Sequence, residues 1–414
     1  MAQAAFRSYV GLAKDTVNAN VYSAVAVGAT SIALKNITGA TGTLTTAGAT
    51  YSAVIVDGVL TETVACSGNV TGTTDGSTIA VGATTYAHSI NAYVYFQLTA
   101  SIGATAWLPV TKIDQADDYV QLYDKAYKGA QVDVWGAQQG TRVANIAFDG
   151  DLFPDSFGYV ASSFFGAYDY TATSGTTPTQ YAFSPLNTGN GQPPPYLVYI
   201  YEPGNSNTRV YAKSVCSDLT LKFDPGALAG YSATIKAFAS GVVANSATVP
   251  PTFSAFTPLP SRVATVSTNS VVTGKVETAE YTFKRQAFGE IFTLQGIQDP
   301  LAIFSGPVSV SCKASMIVDD DVELLRYINQ SQLPFLLTAR IGQGAAATDN
   351  GVTVQCTKAN YEAVKIMNTG KAWVTIDLPF TAIANTTDAT TAGGGSSPVK
   401  LTVYTKTTGT ATLY

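Results

Sequence analysis

The chain has 414 residues, 12% of them charged, with a formal net charge of −5. That length supports two or three domains with real cores, and the balance offers no basic stripe for tight nucleic-acid binding. Charge at about half the usual share points to a surface that other subunits cover, or to a secreted Thr/Ser-rich β protein.

Cys66, Cys216, Cys312 and Cys356 are widely spaced and form no Cys-x-x-Cys pair. Each lies in or near an apolar strand pattern, so they read as small buried hydrophobes rather than metal or redox groups. The first nine residues carry no signal-peptide pattern, and no apolar run reaches membrane-spanning length. The expectation is a chain kept in a reducing cytoplasm until release, with no membrane partner.

In chain order, a polar lead (1–20) precedes a Gly/Thr-rich stretch (21–103) of short strands broken by turn signals, read as a small closed all-β domain. A strand over 106–113 enters a polar loop (114–131); a strand over 141–149, an acidic turn and a short helix over 154–165 come next. Pro154 suits that helix's first turn and Gly166 its stop. Phe157, Val160, Ala161, Phe164 and Phe165 form one apolar stripe, as in an amphipathic lid. Residues 168–206, with three prolines at 193–195, read as a long loop or extended edge. Strands return at 218–223 and 232–238, and a Pro/Ser stretch (249–260) reads as a linker.

The order then recurs. A strand over 276–285, a loop through Gln298, Asp299 and Pro300, a strand over 308–318, an acidic turn (319–321) and a helix over 322–329 match the earlier series in order and spacing. A unit used twice usually builds something periodic. Alternation in both copies gives ribbons with one apolar and one polar face, whose open edges invite pairing between subunits. Asp320 and Glu323 fit a capping box, a simpler reading of the acidic run than a metal cluster. The expected organisation is a first module (1–20 and 104–248), an insert (21–103), a linker (249–260) and a second module (261–414).

The only histidine, His88, has no Cys, Asp or Glu beside it in sequence, which argues against Ser/His/Asp and Cys/His catalysis. No Walker or dinucleotide fingerprint occurs. The expectation is no catalytic residue, no metal and no cofactor, although a carboxylate pair for glycoside hydrolysis stays open.

Seven stretches carry a family resemblance: 11–16 (GLAKDT), 140–145 (GTRVAN), 148–159 (FDGDLFPDSFGY), 219–228 (LTLKFDPGAL), 280–285 (EYTFKR), 298–304 (QDPLAIF) and 385–388 (NTTD), the last with the glycine loop before Ser397-Pro398. Together the chain resembles the major tail tube proteins of long-tailed, non-contractile bacteriophages, especially the larger ones from actinobacterial phages. The resemblance implies packed β-sheets flanked by a helix, with hairpins of neighbouring subunits joined into a barrel around a channel. Rings would stack through long loops, and DNA would leave the capsid through the lumen. Lumen-facing positions would be Asn145, Asp149, Thr278, Glu280, Thr282, Lys284, Ser309, Ser311, Lys313 and Ser315. Inter-ring contacts would come from Asp117, Asp118, Tyr123, Gln298, Asp299 and Pro300.

The implied partners are other copies of the chain, a tape-measure protein in the lumen, terminator and distal tail proteins, and DNA in transit. The implied place is the virion tail, assembled in the host cytoplasm, with the insert on the outer surface. Two modules per chain favour a trimeric, pseudo-hexameric ring over a hexamer of chains. The other readings are a secreted or surface β-sandwich adhesin or carbohydrate-binding protein, and a sugar-cleaving enzyme on a β scaffold.

Overall fold

Period-two alternation of apolar and polar residues builds this mainly β molecule. The computed structural model describes residues 9–405 except 15–17, 39–50, 58–59, 69–73, 99–103, 105, 127, 129–131, 173–177, 203–206, 245–252, 255, 287, 295–297, 319, 343–348 and 368–372. The 249–260 linker and Asp319 fall wholly or partly outside the described residues.

The first segment opens with β1 (Tyr9–Lys14). The chain then leaves it for β2 (Asn18–Val21), β3 (Ser31–Thr38), β4 (Tyr51–Val56), β5 (Glu62–Ala65), β6 (Ser77–Ala80) and β7 (Tyr93–Leu98), which pair in the order β5-β4-β7-β2-β3-β6. A bridge between Cys66 and Val81, with Ser67 N–H donating to Ala80 O at 2.9 Å and Gly82 N–H to Ala65 O at 2.8 Å, joins the two ends into a small barrel. Closure removes its sheet edges. Val21, Ile32, Leu34, Ala53, Ile55, Ile79 and Val94 fill it. The insert's sheet thus begins at Asn18, ahead of the expected boundary at residue 21.

The first segment resumes with β8 (Ala106–Leu108), β9 (Val110–Asp124), β10 (Gly136–Asp151), α1 (Pro154–Phe165), β11 (Gly166–Thr171), β12 (Thr179–Pro185), β13 (Tyr196–Tyr201), β14 (Asn207–Phe223), β15 (Gly230–Ala237) and β16 (Gly241–Ala244). The second segment comprises β17 (Ala264–Thr268), β18 (Val271–Thr273), β19 (Val276–Arg285), β20 (Gly289–Ile291), β21 (Ala302–Phe304), β22 (Val308–Ile317), α2 (Val322–Ile328), β23 (Leu333–Ile341), β24 (Asn350–Tyr361), β25 (Lys365–Met367), β26 (Thr375–Ala382) and β27 (Lys400–Thr405).

The two segments share one pairing scheme. In the first, β1 pairs with β8 and β13, β13 with β14, β14 with β15 and β16, and β10 with β15 and β9. In the second, β17 pairs with β18 and β23, β23 with β24, β24 with β26 and β27, and β22 with β26 and β19. The insert occupies the β1–β8 connection, where β17 and β18 are joined by a turn at Asn269 and Ser270, both at positive φ. The β11–β12 hairpin is extra to the first segment, and β25 continues the end of β24 along β26.

Two ladders join the segments. β14 pairs with β19, and β12 with β27. The first makes one continuous sheet, β9-β10-β15-β14-β19-β22-β26-β25, that curves as an open part of a barrel. Its apolar face packs on the main core, which includes Ile146, Phe148, Leu219, Leu221, Tyr281, Phe283 and Val310. Across that core lies a second sheet containing β1, β13 and the start of β14. This sheet is buried on both faces: Val10, Leu12, Val198 and Tyr211 point into the main core, whereas Leu197, Tyr199, Val210 and Ala212 point away, onto Val54, Val56, Tyr93 and Tyr95 of the insert. The insert therefore sits on the side of the molecule opposite the polar face of the curved sheet.

Three expectations change. Residues 114–131 are not a loop up to Asp124, because β9 runs through them; its alternation is hidden by inward polar residues, Gln115 accepting from Tyr211 Oη at 2.9 Å and Asp117 from Ser240. The stretch 168–206 holds β11, β12 and β13, stabilised by ring contacts such as Tyr168 with Phe183 at 5.5 Å. Finally, α1 is not a lid. Every residue but Asp155 is buried, because β27 and β24 of the second segment close over the helix. Pro154 opens it and Gly166, at φ 85°, ends it; a Cβ on Gly166 would also meet the Pro193 backbone at 2.9 Å.

Candidate functional site

The outward face of the curved sheet is mainly polar, with a few apolar positions such as Ala116, Val143, Ala147 and Pro379. All ten residues expected to line a lumen lie on it: Asn145 and Asp149 on β10, Thr278, Glu280, Thr282 and Lys284 on β19, and Ser309, Ser311, Lys313 and Ser315 on β22. Their side-chain parity follows from strand alternation, since the opposite parity carries the core. Between the two hairpins β15 and β14 add Ser232, Thr234, Lys236, Asp218, Thr220 and Lys222. Sequence reading finds these strands without giving them this face. Their alternation (Asp-Leu-Thr-Leu-Lys, Ser-Ala-Thr-Ile-Lys) is the available signal, but only the β10–β15 and β14–β19 ladders show which face they share.

The lysines on this face have acidic neighbours. Lys222 lies 3.7 Å from Glu280 and Lys284 lies 3.8 Å from Asp218. Lys236 pairs with Glu290, and Lys313 sits opposite Glu280 in the ladder. Asn145 donates to Asp118, and Ser232 Oγ donates to Asp149 at 2.5 Å. With its cations matched locally, such a surface offers a phosphate backbone little net attraction.

Two edges of this sheet are open. Within the described residues β9 pairs only with β10, and β25 only with β26. Exposed apolar residues gather where β9 ends and at the hairpin tip beyond it, including Leu122, Tyr123, Val132 and Trp135.

The residues expected in inter-ring loops have varied surroundings. Asp117 and Asp118 lie inside β9, and Asp117 accepts from Ser240 N–H at 2.8 Å and Oγ at 2.6 Å. Tyr123 is exposed near the tip. Asp299 and Pro300 are buried within the chain: Arg142 Nε and Nη2 donate to the two Asp299 carboxylate oxygens at 2.7 and 2.6 Å, and Arg142 N–H donates to Gln298 O at 3.0 Å. Burial alone would lower the Arg142 pKa; the fork onto Asp299 outweighs it and raises the value. This pair ties the second segment's 286–307 excursion to the first segment's hairpin.

Arg285 is a second buried cation. Its Nε donates to Phe164 O at 2.9 Å and its Nη1 to Ser305 Oγ at 3.0 Å. Burial pushes its pKa down to about 10. The carbonyl end of α1 suits a cation there.

The acidic run before α2 forms no capping box. Val322 N–H donates to Asp320 Oδ1 at 3.1 Å, but Glu323 turns inward, binding Arg326 and accepting from Tyr361 Oη at 2.8 Å. An inward Glu can serve a buried tyrosine better than a solvated cap.

His88 also has carboxylate neighbours in space, contrary to its sequence surroundings. Nε2 lies 2.6 Å from Glu62 Oε1, and Nδ1 lies 3.7 Å from Asp57. Glu62 accepts from Thr85 N–H at 2.7 Å and Asp57 from Ser89 N–H at 2.6 Å, so the cluster clamps the loop before β7. Burial would lower the His88 pKa, but both carboxylates raise it overall; burial would raise theirs, but His88 holds both low. His88 is 2% exposed, which leaves no access for a substrate. The four cysteines are buried and free; among the described residues no metal-binding group of three or more His, Cys, Asp or Glu occurs. No protein-family model and no curated protein matches the chain.

Proposed function

We propose that this chain is a tail tube subunit of a long-tailed, non-contractile bacteriophage, built from one β module used twice, and that copies close into stacked rings around a DNA conduit. The observation that carries the reading is the curved eight-strand sheet, with a mainly polar face, two open edges and the insert on the far side. Edge-to-edge closure would give both open edges a backbone partner.

Geometry favours three copies. Strands ~4.8 Å apart and tilted ~40° close at a backbone radius of about 8 Å for eight strands and about 24 Å for twenty-four. The smaller barrel is filled by side chains, and the larger leaves a channel for a duplex whose major groove alone is about 12 Å wide. Six copies would double that radius to about 48 Å, beyond what passage needs. In this reading the tape-measure protein occupies the lumen before DNA does, the insert decorates the outside, and terminator and distal tail proteins close the two ends. A secreted adhesin accommodates the insert equally well but leaves the two open edges without a role.

The test is electron microscopy of the purified chain. Stacked hollow rings with threefold features and outer knobs are expected. Six equal knobs per ring would sink the trimer and keep the tube, whereas dispersed monomers at high concentration, even when seeded with a tail initiator complex, would sink the tube.

A further inference from the structure

One chain already contains a seam of the kind that two chains would share. At it, β14 of the first segment pairs with β19 of the second: Asp218 opposite Lys284, Thr220 opposite Thr282, Lys222 opposite Glu280. The two flanking pairs are opposite in charge across the seam, with Lys222–Glu280 at 3.7 Å and Lys284–Asp218 at 3.8 Å.

Matching the two pairing schemes rung by rung carries this seam to the open edges. The β9–β10 ladder corresponds to β19–β22, and β14–β15 to β25–β26. Thr282 then corresponds to Ala116, Thr220 to Lys365, and Leu221 to Ile366. We infer that β25 of one copy adds antiparallel to β9 of the next, with Lys365 opposite Ala116 and between Asp114 and Asp118. This rests on the ring assembly proposed above and specifies its seam.

Three observations support that register. It keeps faces aligned: Lys365 opposes Asp377 on the polar face, and Ala116 opposes Asn145 on the same face; a shift by one residue would reverse this. It matches charge, one exposed cation meeting two carboxylates across the strand boundary. It also fits the unfinished packing. Ile366 is 49% exposed, while its counterpart Leu221, covered by β19, is 0% exposed. Beside the β24–β25 edge lies an open groove of about 590 Å³ lined by Tyr327, Ile328, Gln330, Asn360, Tyr361 and Glu362. In the first segment the equivalent place, between α1 and β14, is occupied by Phe283 and Arg285. Tyr119 is the β9 counterpart of Arg285 and would enter the groove from the next copy.

Cross-linking tests the register directly. Opposed Cα atoms on antiparallel strands lie about 4.5–5.5 Å apart, within the roughly 4.4–6.8 Å a disulfide spans, and the native cysteines are buried. A chain carrying Lys365→Cys and Ala116→Cys, assembled and oxidised, is expected to give a reducible ladder ending at the covalent trimer; Lys365→Cys with Gln115→Cys, on opposite faces, is not. Lys365→Asp should raise the protein concentration needed for assembly by about tenfold, and adding Asp114→Lys should bring it back. Tubes that form without the Lys365–Ala116 cross-link, or with no response to Lys365→Asp, overturn the register and leave the tube standing. Failure of the unmodified chain to form rings or tubes removes both.

Discussion

α1 and α2 hold the same place in the two segments, directly after β10 and β22, yet one is interior and the other is surface. Phe164 of α1 is 0% exposed and packs on Phe283 across the seam; Ile328 of α2 is 60% exposed. α1 ends on a left-handed glycine with its carbonyls held by Arg285, whereas α2 ends on Asn329 at φ −80°. The difference lies less in the helices than in the chain downstream of each. α1 has β24 and β27 of the second segment closed over it, and α2, the last helix among the described residues, leaves its outer face exposed. The first segment thus shows a covering that the second lacks.

The largest expected effect breaks that comparison at the helices. Phe164→Ala should cost about 3–5 kcal/mol, and Ile328→Ala within ~0.5 kcal/mol in the dispersed chain, by denaturant unfolding. Equal losses would mean that α2 is already buried by its own chain. Next is the tie between segments: Asp299→Ala leaves Arg142 charged and buried and should cost about 3 kcal/mol, with Arg142→Met and Asp299→Leu together recovering most of it. If the double variant is no better than the single, the pair is not an isolated contact.

The insert supplies a smaller, pH-dependent contrast with the segments. The raised His88 pKa contributes stability that is full below about pH 6.5 and lost as pH rises through its folded value. The lowered Asp57 and Glu62 values contribute stability present above about pH 4 and lost as pH falls through them. Hydrogen exchange in β4 and β7 should therefore be slowest, after correction for intrinsic rates, between about pH 4 and 6.5, and His88→Gln should flatten the alkaline side; an unchanged profile would remove the clamp. Smallest in stability are Asp149→Lys and Glu280→Lys on the polar face, each within ~0.5 kcal/mol. Under the tube reading they leave assembly intact and slow DNA ejection; unchanged ejection kinetics would count against that face as the lining.

What the sequence determined by itself was local. Alternation in 276–285 and 308–318 assigned strands and the two faces of each, because side-chain direction in a strand has a period of two residues. Pro154 and Gly166 set both ends of α1, because backbone geometry at helix termini is a property of those residues. Tertiary structure decided whatever depends on partners far along the chain. The Arg142–Asp299 pair spans 157 residues, and β9 hides its period because Gln115 and Asp117 point inward to partners on β14 and in the β15–β16 connection. The His88 clamp joins residues that turns bring together. The burial of α1, the shared polar face and the two open edges emerge only when strands from both segments pair into one sheet, since a strand's sequence states which way its side chains point but not which strand lies beside it.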